Sequence, residues 1–302
     1  MIENKFIGVG DIHFKSSYFN RLDNVKDTFK DKMVQIYKLA AKHEVEGIIL
    51  TGDVFDSKDP YQCPPGFLTW VMSVLRMSPV TIYTIVGNHD IRNNDLDTIP
   101  RQPIGTIFES GFVTRLTNFD NIVGHDFGTD LEKVPGGRFD LAVIHAYVNK
   151  AGGTMFGNEK VWAFAELELL NAKIVLAGHD HQAYPIEKSG GTLIVRPGAL
   201  FRKNRDEVDL NRTVQVVLMD LTAGTAEYLP IEHRPSKEVF SLEIKDLEDK
   251  NEADIEQFIK SLSVSSVIKK VSLEDEMRKL IIDPKVKDVI TRCLDRAKGG
   301  DE

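Results

Sequence analysis

Residues 47–56, GIILTGDVFD, form a short apolar run that ends in Gly-Asp. A run of Ile and Leu of this length predicts a buried strand, and the Gly-Asp predicts a turn at its end. The same pattern recurs in FIGVGDIH at 6–13, TIYTIVGNHD at 81–90, LAVIHA at 141–146 and KIVLAGHDH at 173–181. We therefore predict five buried strands, each ending in an acidic, amide or imidazole side chain.

The segments between these runs predict the fold class. Helical spacing of apolar residues covers 22–43, and a second helix is predicted over 65–77 after a Pro-Pro-Gly start. Strands that alternate with helices are typical of a parallel sheet. Beyond residue 101 the predicted strands are shorter and more frequent, with one further helix over 159–170. The pattern predicts an α/β fold, a four-layer α/β/β/α sandwich, over residues 1–234.

The pattern changes after Arg234. Residues 235–302 mix strand and helix signals and carry none of the motifs, which predicts a small C-terminal α+β accessory or cap domain. This segment is basic in places, at Lys269, Lys270, Arg278, Lys279, Lys285 and Lys287. Such charges indicate either solvated helix faces or contacts with DNA.

Composition limits the function classes. The 302 residues carry a formal net charge of −8, which disfavours a general attraction to nucleic acid unless a local basic surface exists. No apolar stretch approaches the roughly 18 residues of a membrane helix, and no signal peptide precedes the first motif. Cys63 and Cys293 lie far apart in sequence, which favours free thiols. We expect a cytoplasmic protein without membrane contact.

The motif residues predict a metal site. Two divalent ions bound side by side need oxygen and imidazole ligands and one anionic group that bridges them. We assign the bridge to Asp53, because a carboxylate on a rigid strand end can bind both ions. The predicted ligands are Asp11, His13, Asp53, Asn88, His145, His179 and His181. Taken singly, an Asp at a strand end is more often a cap or turn residue and a lone His145 a packed histidine, but the ordered combination favours the metal site.

The series GDIH, GDVFD, GNHD, His145 and GHDH resembles the calcineurin-like metallophosphoesterase superfamily over residues 1–232. The resemblance implies that His89 protonates the leaving oxygen of a phosphoester and that Asp90 orients His89. It also implies how the ligands divide: a first ion held by Asp11, His13, Asp53 and His181, and a second by Asp53, Asn88, His145 and His179. Mn²⁺ is the expected ion, with Mg, Fe, Zn or Ni as alternatives.

Within this superfamily, the spelling of the motifs resembles the DNA double-strand-break repair nucleases of the SbcD type, including their short bacteriophage versions. The protein Ser/Thr phosphatases differ, because Phe14 follows His13 here and Asp90 stands where they have Glu. The resemblance implies an exonuclease or endonuclease acting in recombination or repair, in which metal-activated water attacks the phosphodiester. Two alternatives stay open: a phosphodiesterase or phosphatase for small molecules such as cyclic nucleotides, and a catalytically silent scaffold.

A basic cluster follows GHDH closely, at Arg196, Arg202, Lys203, Arg205 and Arg212. We predict that it contacts a nucleic-acid backbone. The alternative is a solvated loop in which neighbouring Asp206, Glu207 and Asp209 pair with these cations. The resemblance also implies an SMC-type coiled-coil ATPase partner and a homodimer. The short segment after the core leaves the ATPase partnership open.

Overall fold

The computed structural model describes residues 4–18, 21–134, 137–155 and 159–241. Within these residues, the strands are β1 (Lys5–Val9), β2 (Gly47–Leu50), β3 (Thr81–Thr84), β4 (Val113–Arg115), β5 (Asn118–Phe119), β6 (Ile122–His125), β7 (Phe139–His145), β8 (Val148–Asn149), β9 (Gly153–Thr154), β10 (Lys160–Ala163), β11 (Ala172–Gly178), β12 (Glu187–Ser189), β13 (Thr192–Val195), β14 (Gln215–Asp220) and β15 (Thr225–Pro230). The α-helices are α1 (Val25–Lys42), α2 (Pro65–Leu75), α3 (Pro103–Glu109), α4 (Glu207–Asn211) and α5 (Ser236–Val239). Short 3₁₀ helices lie at Pro60–Gln62, Leu96–Arg101, Leu131–Lys133 and Glu166–Leu170.

Two six-stranded sheets dominate the described structure. The first has the order β15-β14-β1-β2-β3-β4, with β1 to β4 parallel and β14 antiparallel to β1. The second has the order β12-β13-β11-β7-β6-β5, with β6, β7, β11 and β13 parallel and an antiparallel strand at each edge. A smaller sheet has the order β8-β10-β9.

Apolar side chains bury both faces of the first sheet. Phe6 of β1 joins Val143 and Leu176 of the second sheet in one core, so the two sheets pack face to face. Ile7, the next residue, lies on the opposite face in a core that includes Phe29 of α1. Burial on both faces explains why these strands are apolar at nearly every position. The predicted α/β class, with two large mixed sheets and helices, is confirmed.

Helix α1 shows how local sequence sets an element boundary. The Asn24 side chain accepts hydrogen bonds from the backbone N–H groups of Lys26 (3.1 Å) and Asp27 (3.4 Å), which caps the helix. The helix therefore begins at Val25, three residues after the predicted start, and it ends at Lys42, next to the predicted end. The predicted second helix is also observed, as α2, and is two residues shorter than expected.

The predicted helix over 159–170 is wrong. Strand β10 and the 3₁₀ helix at Glu166–Leu170 occupy this stretch. Val161 and Trp162 of β10 are buried, and the strand pairs with β8 and β9. The Glu166 carboxylate accepts a hydrogen bond from the Ala163 N–H (2.6 Å), which holds the turn that ends the strand. Pairing with two neighbouring strands has overridden the helical spacing.

The chain divides into two units, Met1–Phe240 and Ser241–Glu302. The second unit, with its predicted basic surface, lies almost entirely outside the described residues, so the domain boundary after Arg234 stays a prediction. Helix α5 and Phe240 belong to the first unit, where the Leu22 N–H donates to the Val239 carbonyl (2.9 Å). Among the described helices, none combines the length and the apolar character that a membrane crossing requires.

Candidate metal centre

The motif residues follow strands that end at neighbouring edges of the two sheets. In the first sheet, Asp11 comes after β1, Asp53 after β2 and Asn88 after β3. In the second sheet, His145 ends β7 and His179 follows β11, and these two strands are adjacent and parallel. Parallel neighbours bring their carboxyl ends to one edge. The face-to-face packing of the sheets then brings both edges together.

Three of these residues have an unusual backbone. His13, Asp53 and His179 adopt positive φ angles of 56°, 47° and 89°. A left-handed conformation costs a non-glycine residue about 1–3 kcal/mol. The turns are held by hydrogen bonds between the first two motifs, since the His13 N–H donates to the Asp53 carbonyl (2.9 Å) and the Phe14 N–H to the Val54 carbonyl (2.8 Å). Strain of this kind is concentrated at functional sites.

The glycines before two of the motifs are required by close approach. A Cβ atom on Gly87 would lie 2.0 Å from Oδ1 of Asp53, and one on Gly178 would lie 2.6 Å from Oδ1 of Asp11. Either contact would displace a motif carboxylate. The Gly in GNHD and in GHDH is therefore part of the construction of the site.

The first ligand group consists of Asp11, His13 and His181, whose ligand atoms lie within 4.8 Å of one another. Nε2 of His13 is 2.8 Å from Nε2 of His181, and Nε2 of His181 is 3.8 Å from Oδ2 of Asp11. Asp11 is positioned by the Thr51 hydroxyl, which donates to Oδ1 (2.9 Å), and by the His179 N–H, which donates to Oδ2 (2.9 Å).

The second ligand group consists of Asn88, His145 and His179. Nε2 of His145 lies 3.1 Å from Oδ1 of Asn88 and 3.1 Å from Nδ1 of His179. Asp53 joins the two groups, because its Oδ2 lies 3.6 Å from Nε2 of His13 and 3.5 Å from Nε2 of His145.

The surroundings of two imidazoles show which of their nitrogens face the centre. Nδ1 of His145 donates to the Thr51 carbonyl (2.7 Å), which leaves Nε2 toward Asp53. A carbonyl partner of this kind fixes the tautomer of a metal-binding histidine. Nε2 of His179 lies 2.9 Å from Oε1 of Glu159 but forms no hydrogen bond within the described residues, and Nδ1 lies toward His145. Sequence reasoning did not identify Glu159, since no motif marks it.

Burial and neighbouring charges shift the titration of the centre. Burial alone would lower the pKa of His145, but Asp53 and Asp11 outweigh it and raise this pKa to about 10. Burial raises the pKa of Asp11 to about 6. Burial lowers the pKa of His179 to about 3 and that of His181 to about 4. The neutral imidazoles of His179 and His181 beside buried carboxylates form a donor set that suits divalent cations, and His145 joins it by losing a proton.

The geometry fits two ions rather than one. In the first group, Nε2 of His13 and Nε2 of His181 face each other at 2.8 Å. A cation bound by both nitrogens would replace the contact between the two rings. The second group converges in the same way on Nε2 of His145. One oxygen of Asp53 lies between the groups. The structure therefore holds ligand groups for two divalent ions.

His89 is hydrogen-bonded through its backbone to the Asp53 carboxylate. Its backbone N–H donates to Oδ1 of Asp53 (2.8 Å), and its ring nitrogen Nδ1 donates to the carbonyl of Asp56 (2.7 Å). The ring of His89 contacts that of His13 edge to face, at 4.8 Å between centroids. His89 also lines a cavity of about 470 Å³ together with Asp53, Asn88, His179 and His181.

Asp90, which was predicted to orient His89, binds backbone groups of the motif loops, and its role in orienting His89 stays a prediction. The Asp90 carboxylate accepts hydrogen bonds from the backbone N–H groups of Gly87 (3.0 Å), Phe55 (3.2 Å) and Val54 (3.3 Å). It thus ties the third motif to the second. The carbonyl of Asp56 is the group that holds the His89 ring.

The basic cluster after GHDH is largely buried, which corrects its prediction as a nucleic-acid contact. Arg196, Arg202, Arg205 and Arg212 are each at most 9% exposed. Arg196 pairs with Glu187 at 2.5 Å. Buried guanidinium groups cannot reach a phosphate backbone without rearrangement of the core.

The buried arginines stabilise the loop that supports the centre. Arg212 pairs with Asp209 (2.8 Å) and donates to the carbonyls of Ala199 and Phe201. The Ala199 N–H in turn donates to the carbonyl of His181 (3.0 Å). The alternative interpretation paired Asp209 with one of these cations in a solvated loop. The pair with Arg212 is observed, but both side chains are buried. Lys203 differs from the arginines, because its Nζ lies 3.5 Å from Oδ1 of Asp56 near the centre.

The chain belongs to the calcineurin-like phosphoesterase family, whose model matches residues 5–183, more than half of the chain. Members of this family use divalent metal ions, so the class is that of a metal-dependent phosphoester hydrolase. The search of curated proteins finds no match.

Solved structures resemble the chain at low identity. A protein from Thermus thermophilus is 12% identical and aligns over 76% of this chain and 100% of its own, with a TM-score of 0.44. A novel archaeal phosphodiesterase is 11% identical over 75% of this chain and 99% of its own, with a TM-score of 0.41. A dimetal phosphatase from Danio rerio is 12% identical over 77% and 99%, with a TM-score of 0.44. Similarities this weak do not transfer a substrate.

Proposed function

We propose that this protein is a two-metal phosphodiesterase of the SbcD-type nuclease branch that hydrolyses DNA in recombination or repair, with Mn²⁺ as its ion. The observation that carries the proposal is the position of Asp53. One of its oxygens lies at almost equal distances from His13 and His145, and the other holds His89. The Asp53 carboxylate would thus bridge the two ligand groups with one oxygen and hold the backbone of His89, the proposed proton donor, with the other.

The proposed ligand sets follow from the two groups. Asp11, His13 and His181 would hold the first ion with Asp53, and Asn88, His145 and His179 would hold the second with Asp53. Thr51 supports both sets, since its hydroxyl donates to Asp11 and its carbonyl accepts from His145. Two bound ions supply polarisation of the phosphoryl oxygens and activation of water for in-line attack.

His89 supplies the proton for the leaving oxygen. Its Nδ1 already carries a hydrogen that is donated to the Asp56 carbonyl, so any second proton enters at Nε2. The same carbonyl stabilises the doubly protonated ring. A protonated imidazole placed beside the leaving group can transfer its Nε2 proton to the departing alkoxide. Asp90 contributes by fixing the loops that carry Asp53 and His89.

The choice of DNA rests on the spelling of the motifs, with Phe14 after His13 and Asp90 closing GNHD. One observation favours the second candidate, a phosphodiesterase for small molecules: the net charge is −8, and the carboxylates Glu159 and Asp180 line the cavity. These carboxylates would repel an anionic leaving group, so a small substrate with an uncharged or cationic leaving group would fit this cavity better.

Hydrolysis assays separate the two candidates. The protein with Mn²⁺ is offered single- and double-stranded linear DNA, and in parallel a cyclic nucleotide and bis(p-nitrophenyl) phosphate. We expect release of nucleotides from DNA, and the His89→Asn variant serves as the control for contaminating nucleases. Turnover of the small diesters with intact DNA would replace our proposal by the second candidate. The SMC-type ATPase partner and the homodimer stay predictions, testable by co-purification and by sedimentation.

A further inference from the structure

A small ion-pair cluster lies on the His13 and His89 side of the centre. It consists of Asp56, Lys15 and Lys203. Nζ of Lys15 is 2.8 Å from Oδ2 of Asp56, and Nζ of Lys203 is 3.5 Å from Oδ1 of the same carboxylate. Two ammonium groups share one carboxylate, so the cluster carries one net positive charge.

The cluster is adjacent to the catalytic groups. The Asp56 carbonyl accepts the hydrogen bond from Nδ1 of His89, and Oδ1 of Asp56 lies 3.8 Å from Nδ1 of His13. Nδ1 of the His13 ring is thus turned toward Asp56, and Nε2 of the same ring is turned toward His181 and Asp53. A second anionic group of a bound substrate could therefore reach the lysines while the first occupies the centre.

Rigid neighbours hold each member of the cluster. Tyr18 donates from its hydroxyl to Oδ1 of Asp56 (3.1 Å). Lys15 follows Phe14, which is 2% exposed and packs against other aromatic rings. The Lys203 N–H donates to the buried carboxylate of Asp209 (2.9 Å). Each ammonium has three N–H donors and, within the described residues, uses one of them on Asp56, which leaves two for a ligand.

The charge around the centre is asymmetric. The cavity wall next to His179 and His181 instead carries the carboxylates of Glu159 and Asp180. An extended polyanion that crosses the centre is attracted by Lys15 and Lys203 and repelled by Glu159 and Asp180. Among the described residues, one lysine suffices to neutralise Asp56, and the second leaves a net positive charge in the cluster.

We propose that Lys15 and Lys203, spaced by Asp56, form a subsite for the phosphate that neighbours the scissile phosphate in a polynucleotide strand. The inference rests on the proposed nuclease function and sharpens it, because a lone phosphodiester has no group to place there. The subsite selects chains over small diesters and fixes the direction in which the strand crosses the centre.

Two charge-removing variants test the subsite, Lys15→Gln and Lys203→Gln. The matched control is Lys173→Gln, because Lys173 also forms a lysine–carboxylate pair (2.7 Å to Asp140), with an exposure close to that of Lys15 (39% against 34%), at the opposite end of β11 from His179. Each protein is assayed with Mn²⁺ on a single-stranded oligodeoxynucleotide and on bis(p-nitrophenyl) phosphate. We expect each test variant to lose about tenfold more kcat/KM on the oligonucleotide than on the aryl diester. The control should not discriminate.

Binding provides a readout that does not depend on turnover. Fluorescence anisotropy with the labelled oligonucleotide should show weaker affinity in both test variants, with a log–log salt slope smaller by roughly 0.7 for each phosphate that the variant no longer neutralises. Equal losses on both substrates, or wild-type affinity and salt slope, would overturn the subsite. If the wild type hydrolyses the aryl diester but no DNA, the nuclease proposal fails, and the binding comparison still decides the subsite.

Discussion

The two ligand groups of the metal centre differ in how firmly their imidazoles are held. In the second group, His145 donates to the Thr51 carbonyl and is fixed on the side away from the centre, and Nε2 of His179 lies 2.9 Å from the Glu159 carboxylate without forming a hydrogen bond within the described residues. In the first group, Nδ1 of His13 is buried and, within the described residues, has no hydrogen-bond partner. The His181 side chain is 28% exposed.

This difference indicates that the proposed bridge, Asp53, would join two candidate sites of unequal preorganisation. Partners behind the ligands commonly change metal affinity by 10–100-fold. We therefore expect the second group to bind its ion more tightly than the first. The unequal pair would allow the first ion to exchange while the second stays bound.

Asp53→Ala should have the largest effect, because it removes the group that the two sites share. We expect both ions to be lost and activity to fall by about 10⁴-fold or more. Asp11→Ala should instead remove only the first ion. Metal content after gel filtration distinguishes the two variants, with Asp140→Ala as a folding control. Retention of one ion in Asp53→Ala would show that the groups are independent.

His89→Asn should separate catalysis from metal binding. His89 contacts Asp53 through its backbone and not through its ring, so both ions should remain bound. Loss of the proton donor should reduce kcat by about 10²–10⁴-fold. Metal content and kcat are measured side by side, and His43→Asn serves as the histidine control outside the motifs. Full activity in His89→Asn would rule out the proton-donor role.

Glu159→Ala should affect one group only. Without the carboxylate behind His179, the affinity of the second group should fall by about 10–100-fold while that of the first is unchanged. Titration with Mn²⁺ followed by electron paramagnetic resonance measures both affinities. Glu132→Ala is the matched control, since Glu132 pairs with Lys160 (2.7 Å) and is not one of the proposed ligands. A loss that is equal at both sites would contradict the assignment of Glu159 to His179.

The pH dependence of metal affinity should also differ between the two groups. The pKa of His145 is raised to about 10, so at pH 7 this ring carries a proton that the second ion must displace. Affinity at the second group should rise by about tenfold per pH unit between pH 7 and pH 10. At the first group, the pKa of His181 is lowered to about 4 and Asp11 titrates at about 6, so affinity should fall only below pH 6.

Calorimetry in buffers of different ionisation enthalpy counts the protons released. One proton released by the second ion and none by the first at pH 7 is the expected result. The same proton count for both ions would contradict the difference in electrostatics between the groups.

The motif residues could be found from the sequence because each follows a short apolar run. The closing Gly-Asp, Gly-Asn or Gly-His of a buried strand is a local signal, and parallel pairing brings such ends together. The helix predicted over 159–170 failed because its actual structure depends on pairing with β8 and β9, which are close in sequence and in space but leave no periodic signal. Glu159 was missed for the same reason.

The arginines after GHDH show a second limit of sequence reasoning. Charge in a loop is usually solvated, and no local pattern indicates that Arg202 and Arg212 are buried against backbone carbonyls. Only the packing of the loop against the core assigns them to support of the centre. The same packing leaves Lys203 directed toward Asp56 instead.

The sequence by itself determined the strand-and-helix order and the set of candidate ligands, because strand burial and strand-end chemistry are local properties. Tertiary structure alone decided the distances that place the predicted Asp53 between two ligand groups, the contact of Thr51 with His145 and of Glu159 with His179, and the hydrogen bond from the His89 ring to the Asp56 carbonyl. These relations join residues from different strands and both sheets. Their distances depend on how the sheets pack, and no run of neighbouring residues encodes that packing.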